Sequence, residues 1–161
     1  LNLTSNQIKT NNITLKTEFA DNLPTIKADS NKLLQVFINL IMNAVDAMGS
    51  GGTLTVLTLS SPQSLSGDPL PKNGFPLKDC GNDRITLTIT DTGCGITKEN
   101  LTHIFDPFFS TKDTGTGLGL PVTYGIIQEH KGEIKVDSLL GKGTTFTIIL
   151  PTSMSNEIAS P

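Results

Sequence analysis

Residues 29–48 read DSNKLLQVFINLIMNAVDAM, and the apolar residues of this stretch recur with the period of a helix. Asp29 or Ser30 can cap its start, and Gly49 can end it. At about 100° per residue, four polar side chains fall within about 80° of one another on a helix that is otherwise apolar nearly all round. These side chains are Gln35, Asn39, Asn43 and Asp46. The stretch therefore predicts a buried helix that carries one polar stripe.

The polar stripe has two interpretations. It is either the solvent face of the helix or a ligand site, because a buried amide without a partner costs on the order of 1–3 kcal/mol. Solvent faces favour Lys and Glu, and the stripe contains neither. The amide oxygens of Asn39 and Asn43, one helical turn apart, are hard neutral ligands that suit Mg²⁺. Neutral ligands also avoid repelling a bound triphosphate, which carries about four negative charges.

The segments around this helix predict one α/β domain. Alternating apolar residues indicate strands, and Pro121 suits the first turn of a second long helix that reaches about His130. The predicted order is strand, helix, two strands, a long irregular stretch, helix and two strands, which is typical of a two-layer α/β sandwich. Its sheet is mixed and mostly antiparallel, with helices on one face. The predicted strands are 13–19, 53–59, 84–90, 133–137 and 144–150, and a short helix is predicted over 97–105.

Three segments are predicted to lie outside regular structure. Residues 1–11 are polar and are interpreted as a linker. Residues 60–83 contain four Pro and three Gly without periodicity, which predicts a flexible hairpin insertion or, alternatively, a partner-docking loop. Residues 152–161 are predicted to be a disordered tail. The domain itself is assigned to residues 12–151.

Composition narrows the class of protein. The 161 residues suit one domain, and a net charge of −3 without a basic block disfavours nucleic acid and anionic membranes as partners. The chain contains no apolar run of about 18 residues, so no membrane contact is expected of this domain. Cys80 and Cys94 form no disulfide or metal pattern, which favours a reducing, cytoplasmic location. The first residue is Leu, so we expect a piece of a longer protein.

The sequence DTGCGI at 91–96 follows the third strand directly. By alternation, Asp91 lies on the apolar side of that strand, where a carboxylate needs a donor partner. The amino group of adenine is such a donor, and Gly93 and Gly95 would let the backbone approach a flat ring. The alternative interpretation is a plain Asp-Thr-Gly turn without a ligand.

The stretch from Asp91 to Leu120 has 30 residues and one short predicted helix, which is typical of a lid or binding loop. It contains FDPFFSTK at 105–112, whose three Phe residues either anchor the lid or pack in the core, and whose Lys112 can reach phosphate oxygens. GTGLGL at 115–120 then enters the Pro121 helix, so its backbone N–H groups can face an anion. A Walker loop is excluded because Leu120 follows the last Gly of the run.

Four motifs together resemble the ATP-binding catalytic domain of sensor histidine kinases, within the superfamily shared with gyrase, MutL, the large heat-shock chaperones and mitochondrial protein kinases. The resemblance runs from about residue 13 to 151. QVFINLIMNAVDAM resembles the N box, DTGCGI the G1 box, IFDPFFSTK the F box and GTGLGL the G2 box. NAVDAM and FFSTK are similar to the nitrogen-regulator type of kinase.

The resemblance implies a set of site residues. Asn43 would bind Mg²⁺ with help from Asn39, Asp91 would hold the adenine amino group, and Lys112 would meet the phosphates. Thr144 or Thr145 would lie near the adenine, and residues 97–117 would form the ATP lid. Asn39, Asn43 and Lys112 are thus the predicted catalytic residues. The predicted ATP-binding set also includes Asp46, Ala47, Gly93, Gly95, Ile96, Phe108, Gly115, Thr116, Gly117, Leu118, Gly119 and Leu120.

Two positions bear on the reaction. Many relatives carry Lys at the position of Asp46, so this side chain would contact the nucleotide through water or only cap the stripe. Gyrase-type relatives place a water-activating Glu at the position of Asn39. Asn does not accept a proton near neutral pH, which favours phosphoryl transfer over rapid hydrolysis.

The implied activity is transfer of the γ-phosphate of ATP to a histidine on a separate domain of the same sensor kinase. Neither His103 nor His130 has the sequence context of an acceptor. The implied parent protein is a homodimer, either cytoplasmic or anchored in a membrane, with a response regulator downstream. Alternatives are a nucleotide-gated interaction module and a serine kinase of the anti-sigma type. Cys94 is interpreted as a residue without a specific role in the G1 box, and a redox role is the alternative.

Overall fold

The helix that carries the polar stripe, α2 (Ser30–Met48), forms as predicted. Asp29 caps its start: the side chain accepts hydrogen bonds from the backbone N–H groups of Asn31 at 2.9 Å and Lys32 at 3.2 Å. Gly49 ends the helix with φ at 62°, a conformation that glycine adopts without steric cost.

The computed structural model describes residues 2–60, 84–112 and 115–152. Apart from Ser60, the predicted insertion at 60–83 lies outside the described residues. Apart from Thr152, the same holds for the predicted tail at 152–161.

The described residues form one five-stranded sheet in the order β1-β2-β3-β5-β4. β1 pairs with β2 in parallel, and the other neighbours are antiparallel, so the predicted mixed and mostly antiparallel α/β fold is confirmed. The strands are β1 (Ile13–Phe19), β2 (Gly52–Ser60), β3 (Arg84–Asp91), β4 (Glu133–Leu139) and β5 (Gly143–Pro151).

Within the described ranges, three further helices accompany α2: α1 (Asn2–Thr10), α3 (Lys98–Leu101) and α4 (Gly119–Glu129). The segment expected to be a linker therefore contains a helix, which packs on α2 and β1. Thr4 is buried and Ile8 packs against the core, so tertiary contacts stabilise a helix that the polar sequence did not predict. α3 is shorter than the predicted helix over 97–105, because turns follow it.

The core lies between α2 and the sheet. Val36, Leu40 and Val45 of α2 are almost completely buried, as are Leu54 of β2 and Ile148 of β5. On the helix-facing side of β3, the register pairs Ile89 with Phe146 and Asp91 with Thr144. The apolar row of β3 thus ends in a carboxylate, directly beside the second half of α2.

Candidate functional site

A cavity of about 520 Å³ opens between the second half of α2, the end of β3 and the segment that leads into α4. Residues from all four predicted motifs line it. The predicted site residues among those that line it are Asn43, Asp46, Ala47, Asp91, Ile96, Lys112, Gly115, Thr116, Gly117, Gly119, Leu120 and Thr144.

The remaining predicted site residues lie outside the set of described residues that line this cavity; they are Asn39, Gly93, Gly95, Phe108 and Leu118. Several lining residues were not predicted from the sequence: Ala44, Asn100, Ile104, Phe109, Ser110, Thr111, Pro121 and Phe146. Phe146 had a usable signal, because it follows Thr144 by two positions on the same face of β5.

Asp91 lies at the base of the cavity and is only 4% exposed. Its Oδ1 accepts hydrogen bonds from the backbone N–H groups of Gly93 at 2.8 Å and Thr144 at 3.3 Å. The bond to Gly93 spans two residues, so the Asp-Thr-Gly turn considered from the sequence is present. The same carboxylate also lines the cavity, where Oδ2 can accept from a ligand.

A hydroxyl network holds the β4–β5 hairpin against the loop that follows Asp91. Ser138 Oγ accepts from the Ile96 N–H at 2.8 Å and lies 3.0 Å from Thr144 Oγ1. Thr145 instead bonds to Thr90 at 3.1 Å through their hydroxyls, on the other face of the sheet. Of the two threonines considered near an adenine, the structure therefore brings Thr144 to the cavity.

Gly93 and Gly95 are required for packing, and their expected approach to a ring stays a prediction. A Cβ at Gly93 would lie 2.7 Å from the backbone of Ala47 in α2. Gly95 has φ at 70°, and a Cβ there would collide with the backbone carbonyl of Leu139 in the hairpin. Both glycines let the loop after β3 lie between α2 and the hairpin, and this packing shapes the cavity wall.

Burial raises the pKa of the Asp91 carboxyl, and the backbone hydrogen bonds from Gly93 and Thr144 oppose this rise only in part. Between the ordinary value of 3.8 and the raised pKa, the folded state binds more protons than the unfolded state. The free energy of unfolding therefore falls as pH rises through that window, and the loss persists above it.

We expect Asp91→Asn to remove this pH-dependent loss of stability, because the introduced amide retains an oxygen acceptor but carries no charge. The stability of the wild type minus that of the variant should become more negative as pH rises from the ordinary value of 3.8 through the raised pKa of Asp91. Denaturant unfolding of both proteins across this range measures the difference, in which the other carboxylates cancel. A difference that does not change with pH would contradict the assignment.

The same cavity is also lined by a lysine that lies between two oxygen ligands. Lys112 Nζ lies 2.7 Å from Asp46 Oδ2 and 3.2 Å from Asn43 Oδ1. An ammonium group thus stands between a carboxylate and an amide oxygen, which are the hard ligands that Mg²⁺ prefers. The described residues contain no group of three His, Cys, Asp or Glu side chains that could hold a metal alone. The donor set therefore fits a divalent ion that takes further ligands from a bound phosphate.

Asn39, whose role as a second metal ligand stays a prediction, also has a packing contact through its amide nitrogen. Its Nδ2 donates to the Gly119 carbonyl at 3.1 Å and lies 3.4 Å from the hydroxyl of buried Thr123. This amide therefore fixes the first turn of α4 against α2. Gln35 is exposed. Along α2, the polar stripe therefore first contacts solvent, then packs against another helix, and finally lines the cavity.

The segment that carries Lys112 is closed by a backbone contact. The Phe108 N–H donates to the Gly117 carbonyl at 2.9 Å, and a Cβ on Gly117, where φ is 65°, would collide with the Phe108 backbone. The Phe108 side chain is 77% exposed, so it does not anchor this segment. Phe105 and Phe109 pack against the core instead.

The family model described as "Histidine kinase-, DNA gyrase B-, and HSP90-like ATPase" matches residues 28–154. This range contains α2, the cavity and the β4–β5 hairpin. The chain belongs to this ATPase family. No helix among the described parts of this ATPase domain has the length and apolar character needed to cross a membrane.

Curated relatives of the ATPase domain are sensor kinases. The sensor histidine kinase ZraS of Salmonella typhi is 42% identical over 151 residues, which are 94% of this chain and 28% of ZraS. Sporulation kinase E of Bacillus subtilis (strain 168) is 36% identical over 157 residues, which are 98% of this chain and 19% of that kinase. The chain thus spans less than a third of the length of either relative.

Among solved structures, the nucleotide-free catalytic domain of histidine kinase ThkA matches with a TM-score of 0.71 at 28% identity. The match covers 93% of this chain and 87% of that one. Together with the curated relatives, it confirms the resemblance to catalytic domains of sensor histidine kinases and the prediction of a kinase-type enzyme domain.

Both histidines of the ATPase domain contact polar groups of the same domain. His130 Nδ1 lies 2.7 Å from the Ile126 carbonyl, and its Nε2 accepts from the Asp29 N–H at 3.0 Å. This pattern places the proton on Nδ1 and ties α4 to the start of α2. His103 is exposed and lies 2.7 Å from the Asp106 carboxylate. Cys94 is exposed and lines the cavity.

Proposed function

We propose that this chain binds ATP with Mg²⁺ in the cavity and donates the γ-phosphate to a histidine on a separate domain of the same sensor kinase. The observation that carries the proposal is the polarity of the cavity. The cavity is lined both by a buried acceptor, Asp91, and by a cation, Lys112, that contacts two oxygen ligands. A nucleotide has the matching polarity, with a donor on its base and negative charge on its phosphates.

Adenine recognition is assigned to Asp91. Its Oδ1 is occupied by two backbone N–H groups, which fix the carboxylate plane and leave Oδ2 for the amino group of the base. Thr144, held by Ser138, lies beside it and lines the same cavity. The amino group of adenine can donate to this carboxylate. A base with a carbonyl at the same position would be repelled, because two acceptors would then face each other.

Phosphate binding is assigned to Lys112 and to the backbone from Gly115 to Gly119, which leads into α4. The N-terminal turn of a helix presents N–H groups and a partial positive charge to an anion. Gly119, Leu120 and Pro121 of that turn all line the cavity. Asn39 positions the turn through its hydrogen bond to the Gly119 carbonyl.

Metal binding is assigned to Asn43, with Asp46 nearby. When bound, Mg²⁺ would neutralise charge on the phosphates that it bridges, which is the main electrostatic requirement of phosphoryl transfer. The amide of Asn39 is a hydrogen-bond donor to α4 and does not act as a general base. Asp46 is paired with Lys112. This part of the cavity would therefore hold the phosphates and neutralise their charge, which favours transfer to an acceptor over hydrolysis.

The acceptor and partners of the parent protein are proposed from the relatives, which are sensor kinases several times longer than this chain. We place the phosphoacceptor histidine in another domain of the same protein. The parent is proposed to act as a homodimer, in the cytoplasm or anchored in a membrane, with a response regulator that receives the phosphoryl group.

The test is incubation of the full-length protein with Mg²⁺ and ATP labelled on the γ-phosphate. We expect label on the protein that is lost in acid and kept in alkali, as for a phosphorylated histidine. Acid-stable label would instead identify a serine kinase of the anti-sigma type, and nucleotide binding without label would identify a nucleotide-gated interaction module. Either result would overturn the proposed transfer. The present chain alone should bind ATP but hydrolyse it very slowly.

A further inference from the structure

Lys112 lies where a metal ion would be expected in the proposed function. Its ammonium group contacts Asn43 Oδ1, the proposed metal ligand, and forms an ion pair with Asp46 at 2.7 Å. Among the described residues that line the cavity, Lys112 is the one cationic side chain. Asp46 and Lys112 are separated by 66 residues, so this contact joins α2 to the lid.

The backbone of Lys112 is held in a compact turn. Ser110 Oγ accepts from the Lys112 N–H at 3.1 Å, and the Gly115 N–H donates to the Lys112 carbonyl at 3.1 Å. Because the turn restricts the backbone, a contact made by the ammonium group also restrains the position of the turn relative to α2.

We propose that Asp46, Asn43 and Lys112 form a latch that holds the lid against α2 until a metal–nucleotide complex displaces the lysine. The inference rests on the proposed function for its bound state, in which the same ammonium group contacts phosphate. Asn43 Oδ1 and Lys112 cannot keep their present contact while a divalent ion occupies that oxygen, because like charges repel at short range. Metal binding and release of the lysine are therefore coupled, and Asp46 stabilises the nucleotide-free arrangement.

The Asp46–Lys112 pair is partly exposed, with side-chain exposures of 46% and 42%, so its effect is modest. Ion pairs of this kind shift a local equilibrium by about twofold to fivefold. In the nucleotide-free protein, Asp46→Asn should increase hydrogen–deuterium exchange of peptides that span residues 105–117 by about this factor. Lys112→Met should give at least the same increase, because it also removes the contact with Asn43, and the double variant should give no change beyond that of Lys112→Met.

Glu129→Gln is the matched control, because Glu129 forms a similarly exposed ion pair with Lys32 at 2.6 Å away from the cavity. It removes the same charge and should leave exchange of the lid peptides unchanged. With ATP and Mg²⁺ bound, the Asp46→Asn variant should show the same lid exchange as the wild type.

Two results would overturn the latch: additive effects of the two single variants, or an effect of Asp46→Asn that is equally large with and without nucleotide. The nucleotide-free comparison does not require ATP to bind. Its failure therefore removes the latch alone, whereas absence of ATP binding to the wild type removes the proposed function and, with it, only the release step of the latch.

Discussion

Replacement of Asp91 by Asn is expected to weaken ATP binding by at least about 100-fold. The side-chain amide would direct an N–H group at the amino group of adenine, so two donors would face each other where one charged acceptor now lies. The fold should survive, because the amide oxygen of the variant can still accept from the backbone N–H groups of Gly93 and Thr144. Isothermal titration with ATP and Mg²⁺ measures the loss, and circular dichroism checks the fold.

Inosine triphosphate tests whether the amino group of the base is recognised, because its base carries a carbonyl where adenine carries the amino group. The wild type should prefer ATP, and the Asp91→Asn variant should lose or reverse that preference. Asp137→Asn on the exposed side of β4 removes the same charge and should bind ATP normally. Unchanged ATP affinity in the Asp91 variant would show that the base lies elsewhere.

Replacement of Asn43 by Ala should abolish the dependence of ATP binding on Mg²⁺ and slow phosphoryl transfer by about 100-fold. Asn43 Oδ1, the proposed metal ligand, is the neutral side-chain oxygen that Lys112 Nζ contacts among the described residues. Without it, a bound Mg²⁺ would lose its proposed ligand on α2. Titrations with ATP in the presence of Mg²⁺ and of a chelator give the metal-dependent part of the affinity.

Gln35→Ala is the control for this change, since Gln35 belongs to the same polar stripe but is exposed. It should leave both the metal dependence and the transfer rate of the full-length kinase unchanged. If the Asn43 variant retains the metal dependence of the wild type, the metal is held by other residues and the assignment of the stripe is wrong.

Local sequence signals predicted much of this molecule. The period of α2, its cap at Asp29 and the alternation in β3 each depend on neighbouring residues, and the structure confirms all three. The placement of Asp91 was also predictable, because alternation along β3 put its carboxylate on the apolar face. The ATP lid over residues 97–117 and the roles of individual site residues stay predictions.

Contacts between distant segments were not predictable from the sequence. The bond between Asn39 and Gly119 joins residues 80 positions apart, and it gives Asn39 a packing role in addition to the predicted metal contact, which stays a prediction. The pair of Asp46 and Lys112 also depends on where the lid lies in space. α1 was missed because its helix is stabilised by packing of residues such as Ile8, which sequence periodicity does not report.

The sheet register places the candidate site and the junction between β2 and β3 at opposite ends of β3. Ser60 at the end of β2 pairs with Ile85 near the start of β3. The chain therefore leaves and re-enters the sheet at neighbouring positions. Asp91 lies at the far end of β3, seven residues and about 23 Å from Arg84. The junction between Ser60 and Arg84 is therefore a suitable place to graft a fluorescent reporter or exchange a peptide while the catalytic end of the sheet stays intact.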